Sequence, residues 1–129
     1  FGHSGSGKTT SAQLSTGKTV LSDDLNILLP ETSGWRAFAT PFWNPTQAHP
    51  NNLSAPVAGL YRLVQAPQHL RKVMDPVRAL AELISCVPVL RVVPNALPQL
   101  TENLQGLLRA CPCYWLEFRK DAGFWEVIA

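Results

Sequence analysis

No stretch of this 129-residue sequence approaches eighteen consecutive apolar residues, so it contains no segment with the pattern of a membrane-spanning helix. Charge of either sign is scarce. Eleven Lys and Arg against nine Asp and Glu leave a formal net charge of +2, and charged residues make up only 16% of the chain. No basic block exceeds Arg71-Lys72. The stripe of Lys and Arg by which proteins hold nucleic acid is missing, so neither nucleic acid nor a membrane is an expected partner. Cysteine is equally sparse: Cys86, Cys111 and Cys113 form an odd set without a C-x-x-C pair. Three thiols so spaced are too few for a disulfide framework or a zinc site and read as ordinary buried side chains. The setting they fit is a reducing cytoplasm. There is no internal repeat and no low-complexity tract.

What is present is enough for one core. A hydrophobic fraction of 46% in a chain of this length predicts a single folded domain over residues 1–129.

The most specific feature lies at the start. Gly2-His3-Ser4-Gly5-Ser6-Gly7-Lys8-Thr9 fits the phosphate-binding pattern G-x-x-x-x-G-K-[ST] at every fixed position. In such a loop the backbone N–H groups of residues 2–10 converge on phosphate oxygens, Lys8 reaches the β- and γ-phosphates, and the Thr9 hydroxyl joins the shell of a Mg²⁺ ion. The predicted nucleotide-binding residues are therefore Gly2, Ser4, Gly5, Ser6, Gly7, Lys8, Thr9 and Thr10. Glycine allows positive φ and close approach of the backbone to an anion. A phosphate loop is the turn between a buried strand and a helix, and only Phe1 stands where the strand belongs. The expectation is a first strand truncated at the N-terminus. His3 occupies a variable position of the loop and is assigned no catalytic role.

Downstream, residues 7–16 read as the helix opened by the loop, with Gly17 as its stop, and residues 18–22 as a short strand. Ten helical residues rise about 15 Å and five strand residues return about 16 Å. A right-handed crossover then brings the strand's end, Asp23-Asp24, back beside the loop. An aspartate at that place is where phosphate-loop proteins hold Mg²⁺; the alternative is that two aspartates simply open a turn.

Residues 25–29, closed by Pro30, and residues 35–40 read as a hairpin around the turn at 31–34. Residues 41–56, with four prolines, read as a long functional loop, and its His49 as surface. Residues 57–64 give the strongest strand pattern, and Asp75-Pro76 opens a helix. Residues 87–93 fit either a strand or irregular core. Asn95 is placed to cap a helix carrying Leu97, Leu100, Leu104, Leu107 and Leu108, and residues 113–119 and 124–129 close the chain as strand and short helix. The expected fold is α/β, a mixed twisted sheet with helices on both faces.

The phosphate loop followed by Val20-Leu21-Ser22-Asp23-Asp24 resembles the catalytic domain of HPr kinase/phosphorylase, and Thr40-Pro41-Phe42-Trp43, Leu60-Tyr61-Arg62-Leu63 and residues 112–118 look like the HPr-kinase-related branch. The resemblance covers essentially the whole chain. It implies a fold similar to ATP-dependent phosphoenolpyruvate carboxykinase and transfer of phosphate from ATP, with Mg²⁺, to a serine of a small protein or peptide. Gly2, Gly5, Gly7, Lys8 and Thr9 match the family's loop, and Asp23 and Asp24 its acidic pair. The assignment is Asp23 with Lys8 as catalytic residues and Asp24 with Thr9 as metal ligands; the reverse roles for the two aspartates stay open. Gly34-Trp35-Arg36-Ala37-Phe38 stands where HPr kinases carry a segment rich in Glu, Arg and Gly, so the HPr substrate and the reverse reaction are not carried over. A non-catalytic nucleotide-binding regulatory module is the alternative, and a homo-oligomer is left open. Arg36 and Arg62 are candidate phosphate clamps, with exposed strand faces as the plainer reading of both.

Overall fold

The structure is a computed structural model that describes residues 1–42, 52–88 and 92–129. It is a mixed α/β fold, and its strands form two three-stranded sheets rather than the single sheet expected.

The first sheet grows from the predicted hairpin. Strands β1 (Asn26–Glu31) and β2 (Gly34–Ala39) pair antiparallel from Asn26↔Ala39 to Glu31↔Gly34. Gly34 closes the turn at φ 130, a backbone that L side chains rarely adopt. Pro30 does not end β1 but lies within it. This is tolerated because β1 is an edge strand, where a missing N–H breaks no ladder. A short β3 (Ser54–Pro56) pairs with the other side of β2. The pleat sends Leu28 and Trp35 into the core and leaves Ile27 and Leu29 exposed.

The second sheet contains β4 (Leu60–Gln65), β5 (Leu70–Val73) and β6 (Cys113–Phe118) in the order β4-β6-β5. β4 runs parallel to β6 and β5 antiparallel to it, so this sheet is mixed. Helices cover both of its faces. Leu60, Cys113 and Trp115 point toward α2 (Pro76–Cys86) and α3 (Leu97–Ala110). Leu63, Leu116 and Phe118 point the other way, where Leu14 and α4 (Phe124–Ile128) pack on them. The Asp75 carboxylate accepts from the N–H groups of Val77 and Arg78 at 3.1 Å each, and Pro76 fills the first helical position.

Trp35 packs on α3, close enough that a Cβ on Gly106 would meet its Cζ2 at 3.5 Å. The hairpin thus lies over the helical layer, joined to the chain leading into β4 by a bond from Val57 N to Trp35 O of 2.8 Å. Local expectations also need correcting. The first helix, α1, spans only Lys8–Gln13, and Gly17 takes its positive φ in a separate turn beyond it. Residues 18–22 form no strand. Only Val20 and Leu21 are apolar there, and Ser22 Oγ donates to Phe42 O at 2.9 Å while accepting from Asp24 N at 3.3 Å. Asn95 caps nothing: Pro94–Ala96 form a 3₁₀ turn, and Ala96 precedes α3 with no side-chain cap. The three cysteines are free, with Cys111 and Cys113 buried and their thiols pushed up by that burial. Among the described residues no helix is long and apolar enough to cross a membrane. His49 and most of the predicted long loop lie outside the described residues.

Candidate functional site: the glycine-rich loop at the strand ends

Phe1 joins the free edge of β4. Its main-chain nitrogen donates to Tyr61 O at 2.6 Å, and Leu63 N donates to Phe1 O at 3.0 Å, one rung of parallel pairing. From Gly2 the chain turns away from that edge. Ser6 N donates to His3 O at 3.1 Å to close a turn, with Gly5 at φ 79 inside it, and Gly7 at φ 102 precedes α1. The first helical bond runs from Ser11 N to Gly7 O at 2.8 Å. Gly7 has no side chain to cap the helix, so the first-turn N–H groups have no acceptor within α1. Six residues give α1 a weak dipole, and any anion held here depends on the loop amides and Lys8.

The loop lies over the carboxyl ends of the two parallel strands. Gln65, the last residue of β4, donates from Nε2 to Gly5 O at 2.8 Å, and Phe118, the last of β6, abuts Gly7. Lys8 folds back along the loop, with Nζ donating to Gly2 O at 2.9 Å and His3 O at 3.0 Å. An ammonium so placed is fixed by the backbone that surrounds it and carries its charge to the mouth of the loop. Ser4 is exposed, Thr9 and Thr10 are half-buried, and Ser6 Oγ is buried without a hydrogen-bond partner. Beneath the loop, a Cβ on Gly2 would stand 2.3 Å from Ser6 Oγ and 2.6 Å from Arg62 Nη1. Three glycines of the loop thus serve different ends: Gly2 allows close approach, Gly5 a positive φ, and Gly7 both.

Arg62 is not an exposed face residue. Its Nε lies 2.9 Å from Glu82 Oε2, and both side chains are only 13% exposed. Arg78 Nη2 meets the other Glu82 oxygen at 2.7 Å. The Arg62 hydrogen bond, with help from Arg78, holds the Glu82 carboxyl below its ordinary range. The ionic residue inside the apolar run Leu60-Tyr61-Arg62-Leu63-Val64 was the one sequence signal for this pair. Arg36 pairs with Glu31 at 2.6 Å on the partly exposed surface of the first sheet. His3 Nε2 lies 3.3 Å from Ser85 Oγ, which donates to Glu82 O at 2.7 Å.

The acidic pair is placed differently from the crossover expectation. With no strand at 18–22, Asp23 and Asp24 lie on bends leading into β1. Asp23 is buried, at 8% exposure, and Asp24 is exposed. Thr40 Oγ1, also buried, braces this segment by donating to Leu25 O at 2.6 Å. Among the described residues no group of three or more His, Cys, Asp or Glu converges as a metal site. Mg²⁺ takes one or two carboxylates together with water and phosphate oxygens, so Thr9 and Asp24 suit it in kind.

Elsewhere, His69 Nε2 and Arg119 Nε each approach one oxygen of Asp121 at 2.6 Å, a clamp on the turn before α4. A cavity of about 410 Å³ between α2 and α3, lined by Pro76, Val77, Leu80, Gln105, Leu108 and Arg109, shares no residue with the loop. Compared with protein-family models, curated proteins and solved structures, the chain gives no match.

Proposed function

We propose that this chain is a nucleotide-binding domain and an ATP-dependent phosphotransferase resembling HPr kinase, acting on a serine of a small protein or peptide. The observation that carries the reading is the loop itself: a complete G-x-x-x-x-G-K-[ST] motif in which Gly5 and Gly7 take positive φ and Lys8 Nζ donates to Gly2 O and His3 O at 2.9 and 3.0 Å. A P-loop fold of the kinase and carboxykinase type is the finer architecture we infer for it.

In this reading the amides of residues 5–9 bind the α- and β-phosphate oxygens, and Lys8 shares its ammonium with the β- and γ-phosphates. Asp24 and Thr9 would hold Mg²⁺, which when bound neutralises charge on the phosphates. The serine oxygen attacks the γ-phosphorus, the bond to the bridging β–γ oxygen breaks, ADP leaves, and Asp23 accepts the hydroxyl proton. MgATP titration followed by ATP consumption with serine-containing acceptors tests the proposal. Absence of MgATP binding by the folded chain would overturn it.

A second reading, a nucleotide-binding regulatory module without turnover, is favoured by one feature: Asp23, the assigned base, is 8% exposed and does not end a strand beside the loop. MgATP binding with no turnover toward any acceptor would select it.

A further inference from the structure

We propose that Arg62 is a positioning residue of the phosphate loop, setting where the chain leaves the β4 edge; the inference rests on the phosphate-loop reading above. Phe1 uses Tyr61 O and Leu63 N of that edge. A chain continuing in parallel along β4 would next donate to Leu63 O. Instead the chain turns off at Gly2, and Arg62 Nη1 donates to Leu63 O at 3.0 Å. The guanidinium supplies the N–H that the departing backbone withdraws, at the point where strand pairing gives way to loop.

The same nitrogen lies against Gly2, closely enough to exclude a Cβ there. Its Nε is fixed by Glu82 on α2, so three separated parts of the chain meet at one planar group: the β4 edge, the start of the loop and α2. Only a guanidinium can satisfy this set. A lysine carries the charge but lacks the rigid fork that reaches Glu82 and Leu63 O together. Glu82 in turn offsets the buried positive charge, so the contribution of Arg62 to the site is geometric. It fixes the position of Gly2, at which the loop leaves the strand edge.

The test compares wild type with Arg62→Lys and with the double variant Arg62→Met/Glu82→Gln, which removes both charges and leaves no unpaired ion inside. MgATP and inorganic tripolyphosphate are the probes, and circular dichroism and thermal midpoint establish folding. Expected is a folded double variant whose Kd for both probes rises at least tenfold, with Arg62→Lys intermediate. A role in global stability alone would shift the midpoint and leave both Kd values in place. A folded double variant with wild-type affinity, or an Arg62→Lys variant indistinguishable from wild type, would overturn the inference. If the double variant does not fold, the lysine variant decides by the same criterion. Failure of the wild type to bind either probe would instead overturn the phosphate-loop reading, and this inference with it, before any variant is compared.

Discussion

Gly7 and Phe118 are in contact so close that a Cβ on Gly7 would stand 2.4 Å from Phe118 Cζ. Phe118 is among the most deeply buried side chains, at 1% exposure, and cannot swing away. Gly7→Ala therefore combines a left-handed backbone penalty of roughly 1–2 kcal/mol with overpacking of about 1–3 kcal/mol. Gly5→Ala, at φ 79 with open space around it, carries only the first of these. Urea unfolding of the two variants should show Gly7→Ala the more destabilised by at least about 1 kcal/mol. Equal losses would mean that Phe118 does not support the loop.

Asp75→Ala removes the acceptor for two N–H groups at the start of α2. A loss of about 1 kcal/mol is expected, with Asp75→Asn or Asp75→Ser retaining most of the stability. Thermal or urea unfolding measures it, and an unchanged midpoint in the alanine variant would contradict the cap.

Asp121 gives the chain an acid-sensitive element. Bonds from Arg119, Gly123 N and His69 hold its carboxyl down to about 2. An aspartate depressed in the folded state stabilises above its unfolded value of about 3.9, and that contribution disappears as pH falls through about 2. Between pH 5 and 2, wild type should lose more thermal stability than Asp121→Asn. Parallel curves for the two would remove Asp121 from the acid response.

Asp23→Asn and Asp24→Asn should fail differently. Losing the assigned base lowers turnover by about 10²–10⁴-fold with modest change in binding, whereas losing Asp24 chiefly weakens the Mg²⁺ dependence of nucleotide binding. Titrations with and without Mg²⁺, paired with turnover assays, separate them. Wild-type behaviour of both variants would reduce the pair to a turn.

What could be read from the sequence follows how local its cause is. The hairpin, α2, α3 and β6 each carry their own alternation, cap or leucine stripe, and each forms within a few residues of where that pattern lies, while α4 follows the turn at 121–123. β5 carries no strand pattern in the sequence because Leu70-Arg71-Lys72-Val73 is an edge strand with charges at its centre. Those charges find partners far along the chain, Arg71 at Ile128 O and Lys72 at Glu117. β3 is three residues ending in Pro56, paired with β2. The packing of the first sheet on α3 brings Trp35 to Gly106 across about seventy residues, a contact that no periodicity encodes. At the site, the loop was legible residue by residue because its chemistry is contiguous. Arg62, Glu82, Gln65 and Phe118 reach it from sixty or more residues away, and only the fold shows them as its support.

The proposed function requires that Lys8 and its loop hold a polyphosphate. The direct measurement is fluorescent MgATP titration of wild type and Lys8→Ala, with circular dichroism confirming that both are folded. Lys8→Ala is expected to bind at least tenfold more weakly than wild type, a difference of about 1.4 kcal/mol or more. A folded Lys8→Ala protein that binds MgATP as tightly as wild type would contradict it.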